Sequence, residues 1–191
     1  MINLVSIIYT LFSLTYTILA GKGKYICFFF GLFASVLYGI LCFINNLWGS
    51  LALNVLYYIP IQILSFILWF KNTDEDKKTV KKISLGRKEF FSLLILALIL
   101  SICAIYFLNF INDKSPFFDG IILIFSILGA YFTLRRAIEQ WIIWSIVNVF
   151  SCIMWLIFIP QNPSAIAPSV LWFIYLILGI VFYFEWKREV N

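Results

Sequence analysis

The chain has 191 residues, of which 63% are hydrophobic and only 12% charged, with a net charge of +5 and a mean hydropathy of +1.01. A soluble domain is about half apolar and a quarter charged, and at this length buries only about 70% of the surface its unfolded chain exposes. The composition therefore excludes a soluble enzyme, a disordered chain and a disulfide-stapled secreted domain, and leaves an integral membrane protein.

Seven apolar stretches approach the ~20 residues that a helix needs to cross a bilayer. Span 1, about Ile2–Ala20, has its basic residues, Lys22 and Lys24, behind it. A cleaved signal peptide has the reverse order, so this span is expected to remain as a mature helix. Span 2, Tyr25–Ile44, repeats Gly31, Ser35 and Gly39 every four residues, a small-residue face suited to close helix packing. Span 3, Leu47–Phe70, sets Asn54, Tyr58, Gln62, Ser65 and Trp69 on one helical face through spacings of 4, 4, 3 and 4. Pro60, two residues before Gln62, removes a backbone hydrogen bond and should kink the helix, as a hinge or as a static bend. The loop Lys71–Lys88 follows, with six Lys and Arg residues after Lys71 set around Asp74, Glu75 and Asp76. It reads as a solvated orientation anchor.

Span 4, Glu89–Ile111, contains FFSLLILALILSICAIYFL, without glycine or proline and almost without polar atoms. It suits a connecting helix that faces lipid. Span 5, Phe117–Leu134, opens on FFDG. Span 6, Gln140–Pro160, places Trp141, Trp144, Asn148, Ser151 and Trp155 on one face at spacings of 3, 4, 3 and 4. Span 7, Ala165–Trp186, does the same with Trp172, Tyr175, Gly179, Tyr183 and Trp186.

Charge tests the count. Of the 14 Lys and Arg residues, alternate inter-span segments carry 13 on one side and 1 on the other. The positive-inside rule makes the richer side cytoplasmic, with the N-terminus outside and the C-terminus inside. A shift of 116 residues lays spans 1–3 on spans 5–7, with Thr17 on Thr133, Ser35 on Ser151, Asn46 on Asn162 and Lys71 on Lys187. The expected fold is all-α: two parallel three-helix bundles joined by a linker helix, a plan some transporters use. The first bundle is residues 1–71, the basic loop and linker helix are 72–112, and the second bundle with a short tail is 113–191.

The chemistry of the spans is uncharged. Asn148 lies ~12 Å along its helix from the cytoplasmic start of span 6, and Gln62 is about as far from the cytoplasmic end of span 3. A carboxamide in hydrocarbon needs a partner. Either the two bond across helices and hold the bundles, or they line a polar passage with the aromatic rings of their stripes. Trp69 and Trp186, at span ends, read as interfacial belt residues, whereas Trp144 and Trp155 lie deeper. The middle of every span lacks Lys, Arg, Asp and Glu, and the chain has no histidine. Ion-coupled carriers place ionisable groups on their pathway, so a passive facilitator fits better. The four cysteines lie in apolar runs without CxxC spacing and read as small hydrophobes, with no metal or cofactor implied and no nucleic-acid partner.

The run RRAIEQWIIWSIVNVFS at Arg135–Ser151, with Glu139, Trp141, Trp144 and Asn148 at its centre, resembles the PnuC family of vitamin transporters. FFDG at Phe117–Gly120 and YIPIQILSFILWFK at Tyr58–Lys71 resemble it too, and the likeness extends over about Lys24 to Lys187. The resemblance implies a SWEET-like seven-helix fold in a multi-pass bacterial plasma membrane protein. It implies facilitated uptake of nicotinamide riboside, an NAD precursor, trapped by a cytoplasmic kinase, and family members also associate. By position, Trp144 and Asn148 would contact the substrate with Gln62 opposite, while Trp141 and Glu139 shape the inner mouth. Tyr58, Asn54, Ser151 and Ser65 complete the candidate contacts, and Glu139, Pro60 and Trp69 are candidate gating residues. The family usually has glycine where Ser65 stands. Thiamine, another flat cation, and a non-transporting sensor or scaffold remain as alternatives.

Overall fold

A computed structural model describes residues 2–44, 51, 54–75, 78–160 and 165–190. Helices α1 (Ile2–Gly21) and α2 (Cys27–Ile44) come first, and a π-helical turn, Asn54–Tyr58, leads into α3 (Ile59–Lys71). Strands β1 (Thr73–Asp74) and β2 (Thr79–Val80) form a hairpin, and α4 (Arg87–Phe110), α5 (Pro116–Leu134), α6 (Gln140–Phe158) and α7 (Ile166–Val190) complete the described chain. Each expected span has its helix. Among the described residues, six segments are long and apolar enough to cross a membrane, Asn54–Lys71 among them, and α2 is apolar over Cys27–Ile40. The N-terminal end expected for span 3, and the pair Asn46 and Asn162, lie outside the described residues.

The π-turn gives form to the proline expectation. Pro60 has no N–H to donate, and its ring opposes the carbonyl four residues back. The backbone widens into a π-turn that ends two residues before it, a local feature frequent at functional sites. Asn54 and Tyr58 of the polar stripe are the ends of that turn.

The chain divides into two compact units. The first is Met1–Lys82 with Thr133–Arg136, and the second is Ile83–Phe132 with Ala137–Asn191. In the first, α1 packs along α2, and α2 packs against α3 and the π-turn. Phe28 meets the edge of Trp69 at 4.9 Å and 90°. The Trp69 indole is fully buried and donates to the Thr133 carbonyl at 2.8 Å. The hairpin pairs Thr73 with Val80 and Asp74 with Thr79 and is docked on the turn after α1, where Val80 N donates to Gly23 O at 2.8 Å. The expected solvated loop is thus partly folded, with Val80 buried. Gly23 occupies the left-handed region at φ +67°, which glycine enters without steric cost.

In the second unit, α4, α5 and α6 share a core of Ala97, Phe125, Leu128, Phe132, Ile143 and Val147, closed by Leu85 and Ala137. Ala97 and Ser101 are the buried side of α4, whereas Ile95, Leu96, Leu98, Ile99, Leu100 and Ile102 are exposed, as expected of a helix facing lipid. Helices α6 and α7 pack along each other.

Local features recur in the two units, but not at a single offset. After α1, Gly23 N bonds Ala20 O and Lys24 N bonds Leu19 O; after α5, Arg136 N bonds Thr133 O and Ala137 N bonds Phe132 O. Both are Schellman endings with a positive φ, +67° at Gly23 and +62° at Arg136, 113 residues apart. The edge-on pair Phe28–Trp69 has its counterpart in Trp141–Trp186, at 5.7 Å and 81°. Phe28 and Trp141 are again 113 residues apart, but Trp69 and Trp186 are 117. The uniform shift of 116 residues is therefore corrected: Ser35 falls on Asn148, not Ser151, and Gln62 falls on Gly179. Four more residues separate the aromatic pair in the second unit, so a gapless shift averages two registers.

Candidate functional site

The polar face of α6 is built by helical spacing and held by its neighbours in the second unit. Trp141 is 4% exposed, packs against Phe182 and Trp186, and its Nε1 has no hydrogen-bond partner among the described residues. Trp144 is half-buried with its ring over Gly129, where an added Cβ would lie 3.0 Å from Cε2. Asn148 is buried beside Gly179, whose added Cβ would stand 3.9 Å from Nδ2 and 2.8 Å from Ser145 Oγ. Ser151 is buried with an unpartnered hydroxyl, and Trp155 is half-buried against Phe158. The glycines on α5 and α7 thus make room for the large and polar groups of α6.

Gln140 was not singled out by the sequence reading. It is 1% exposed, and its Nε2 has no partner among the described residues. The signal is in the sequence: Gln140, Trp144, Asn148 and Ser151 are spaced by 4, 4 and 3, although Gln140 also marks the edge of its span.

In the first unit the amides of the span 3 stripe converge on one residue of α2. Asn54, buried, donates from Nδ2 to the Ser35 carbonyl at 3.1 Å, and Gln62 donates from Nε2 to Ser35 Oγ at 2.6 Å. Gln62 therefore does bond across helices. Its Oε1 and Asn54 Oδ1 are nevertheless buried without a partner among the described residues. The Gln62 amide rests on Gly31, where an added Cβ would lie 3.1 Å from Cδ. Ser65 is buried, Tyr58 half-buried edge-on to Tyr57, and Pro60 exposed.

Trp69 and Trp186 are both fully buried, which corrects their reading as belt residues. A belt tryptophan keeps its ring at the interface, whereas these rings are fully buried, Trp69 edge-on to Phe28 and Trp186 edge-on to Trp141.

Glu139, at the turn into α6, is 9% exposed. Its Oε1 accepts from Ser84 Oγ at 2.8 Å, and both carboxylate oxygens accept from Leu85 N at 3.1 Å. Ile138 N donates to Ile83 O alongside at 2.9 Å. The residue ties the segment entering α4 to the turn entering α6. Among the described residues, no group of three or more Cys, Asp or Glu side chains is placed to hold a metal ion.

What this arrangement offers is aromatic faces, amide and hydroxyl groups, and several buried polar atoms awaiting partners. That suits a flat polar solute better than an ion. A family model described as nicotinamide mononucleotide transporter matches residues 3–188. The chain is similar to the nicotinamide riboside transporter PnuC of Neisseria mucosa, at 26% identity over 179 residues, covering 91% of this chain and 68% of the relative. It is similar to the Haemophilus influenzae protein of the same name, at 23% identity over 177 residues, covering 91% and 75%. The crystal structure of the vitamin B3 transporter PnuC superposes with a TM-score of 0.82 at 24% identity, over 98% of this chain and 82% of that one, and shares its fold.

Proposed function

This chain belongs to the nicotinamide mononucleotide transporter family, and from that membership we propose that it admits nicotinamide riboside to the cell by facilitated diffusion. The relatives that carry that substrate in their names cover most of this chain. The observation that carries the reading is the α6 face, where the indoles of Trp141 and Trp144 stand on one helical face with buried Asn148 and Ser151, and where the Trp141 Nε1 and the Ser151 hydroxyl have no partner among the described residues. The nicotinamide ring of this substrate is a flat pyridinium cation. An indole face attracts such a ring by about 0.5–2 kcal/mol, and orphaned polar atoms gain the partners they lack.

In the first unit, Asn54, Tyr58, Gln62 and Ser65 are proposed as substrate contacts from the polar stripe, and Pro60 and Trp69 as gating residues. Glu139 is proposed as the gating residue at the mouth of α6. The spans offer no ionisable group at their centres, which supports movement down a gradient without coupling to protons or sodium. Net uptake then needs a sink, and phosphorylation by a cytoplasmic kinase supplies one, because the added charge makes the product a poor substrate for an uncharged path. An enzymatic role finds no support in the residues described.

The test is uptake of labelled nicotinamide riboside into proteoliposomes holding the purified protein. Entry down its own gradient, unchanged when proton and sodium gradients are abolished, is expected. Uptake that stops without an ion gradient overturns the uniport mechanism, and equal or faster movement of thiamine overturns the substrate.

A further inference from the structure

The small-residue stripe of α2 does more than let helices approach. The offset of 113 residues that relates Phe28 to Trp141 sets Ser35 in the place of Asn148, and Gly31 in the place of Trp144. The offset of 117 that relates Trp69 to Trp186 sets Gln62 in the place of Gly179. In the second unit the amide stands on the second helix of the repeat, beside a glycine of the third. In the first unit the amide stands on the third helix, and the second helix offers Gly31 and Ser35 to receive it.

We propose that Ser35 is a positioning residue for substrate recognition, turning the Gln62 and Asn54 carboxamides so that their oxygens are the atoms left to bind. The Ser35 carbonyl can only accept, so Asn54 must present Nδ2 to it and keep Oδ1 free. Ser35 Oγ accepts from Gln62 Nε2 at 2.6 Å, and the Gln62 Oε1 lies against Gly31, in space that an added Cβ would fill and beside the Tyr16 ring, so the oxygen is held there without a hydrogen-bond donor until a ligand brings one. Both oxygens are then buried acceptors without a donor among the described residues. Such a pair favours a ligand that brings hydrogen-bond donors and positive charge, and disfavours one with carboxylate or phosphate oxygens. The ligand class is a cation bearing hydroxyl or amide N–H groups. This deepens the transport reading above and rests on it.

The experiment measures the dissociation constant of nicotinamide riboside by calorimetry on purified full-length protein, with thermal unfolding of each variant alongside. Ser35→Ala removes the bond to Gln62 but leaves the backbone carbonyl that holds Asn54. It should weaken binding about fivefold, in the range of one lost hydrogen bond. Ser35→Cys, nearly isosteric with a much weaker acceptor, should show the same loss and serves if the alanine variant does not fold. Ser35→Thr, which keeps the hydroxyl, should bind within about twofold of the parent. In a Gln62→Ala background, Ser35→Ala should cost nothing further, because its effect passes through that amide. Unchanged binding in both Ser35→Ala and Ser35→Cys overturns the proposal, as does an equal loss with and without Gln62, which is the mark of packing alone. A parent protein that binds no nicotinamide riboside overturns the transport reading and this one with it.

Discussion

Trp141 makes the sharpest demand of any side chain on α6. Its indole is 4% exposed, pressed between Phe182 and Trp186, yet its N–H reaches no acceptor. A buried donor left so costs about 1–3 kcal/mol, a cost that a bound substrate oxygen would remove. Trp141→Phe deletes the donor and keeps a ring in the aromatic cluster. Affinity for nicotinamide riboside should fall by about 2–10-fold, the worth of one hydrogen bond, while thermal stability stays level or rises. Unchanged affinity by calorimetry would show that this N–H does not serve the substrate. The sequence made this residue visible, because spacings of 3 and 4 pick out one helical face without knowledge of its surroundings. The same logic misread Trp69. Its position at a span end says "interface", and the bond to Thr133, 64 residues away in sequence, leaves no mark on local periodicity. Ser35 was visible as a small residue, but not as the meeting point of two amides, since that convergence is a tertiary fact.

Helices α4 and α5 approach so closely at one point that the sequence there is constrained to glycine. A Cβ added to Gly120 would lie 2.7 Å from Ile105 Cγ1, 3.0 Å from Ile105 N and 3.2 Å from its Cα. Side chains can rotate away from such a clash, but the backbone of a packed helix cannot without separating the pair. Gly120→Ala should therefore lower stability by about 1–3 kcal/mol, the usual cost of overpacking, read as a lower melting temperature in detergent. Substrate affinity per folded molecule should stay unchanged, because Gly120 lies outside the proposed contacts. A variant as stable as the parent would show that the two helices are free to part. The FFDG run that carried part of the family resemblance thus has a packing reason for its last residue. Elements were legible where length and apolarity decide the outcome, as in α4, whose hydrocarbon run admits no other reading. They were less legible where the backbone chooses among local forms. Pro60 announced a break in span 3, but the π-turn over Asn54–Tyr58 depends on how the chain regains its hydrogen bonds. The repeat shows the same limit: its existence was readable, while the change from 113 to 117 residues needed the aromatic pairs in place.

At the scale of the whole molecule, charge has been moved to the margins and sorted by side. Alternate segments hold 13 and 1 of the 14 basic residues, and Lys114 is the single one on the poorer side. Each Lys or Arg near an anionic cytoplasmic leaflet gains about 1 kcal/mol, so an excess of twelve favours one orientation far more strongly than any single loop does. Lys22, Lys24, Lys78, Lys81 and Lys82 gather around the turn after α1 and the docked hairpin, and all belong to the richer side. The expected topology follows: the hairpin faces the cytoplasm and the Asn112–Ser115 connection faces out. Lys114→Cys should react with a membrane-impermeant maleimide added to intact cells, whereas Lys78→Cys should react only after the membrane is opened. Both positions are exposed, so access alone decides labelling. The four native cysteines, Cys27, Cys42, Cys103 and Cys152, are replaced by alanine beforehand so that they contribute no background. Labelling of Lys78→Cys in intact cells, with Lys114→Cys protected, would invert the protein. It would also move Glu139 and the start of α6 to the outer face and turn the proposed inner gate into an entrance.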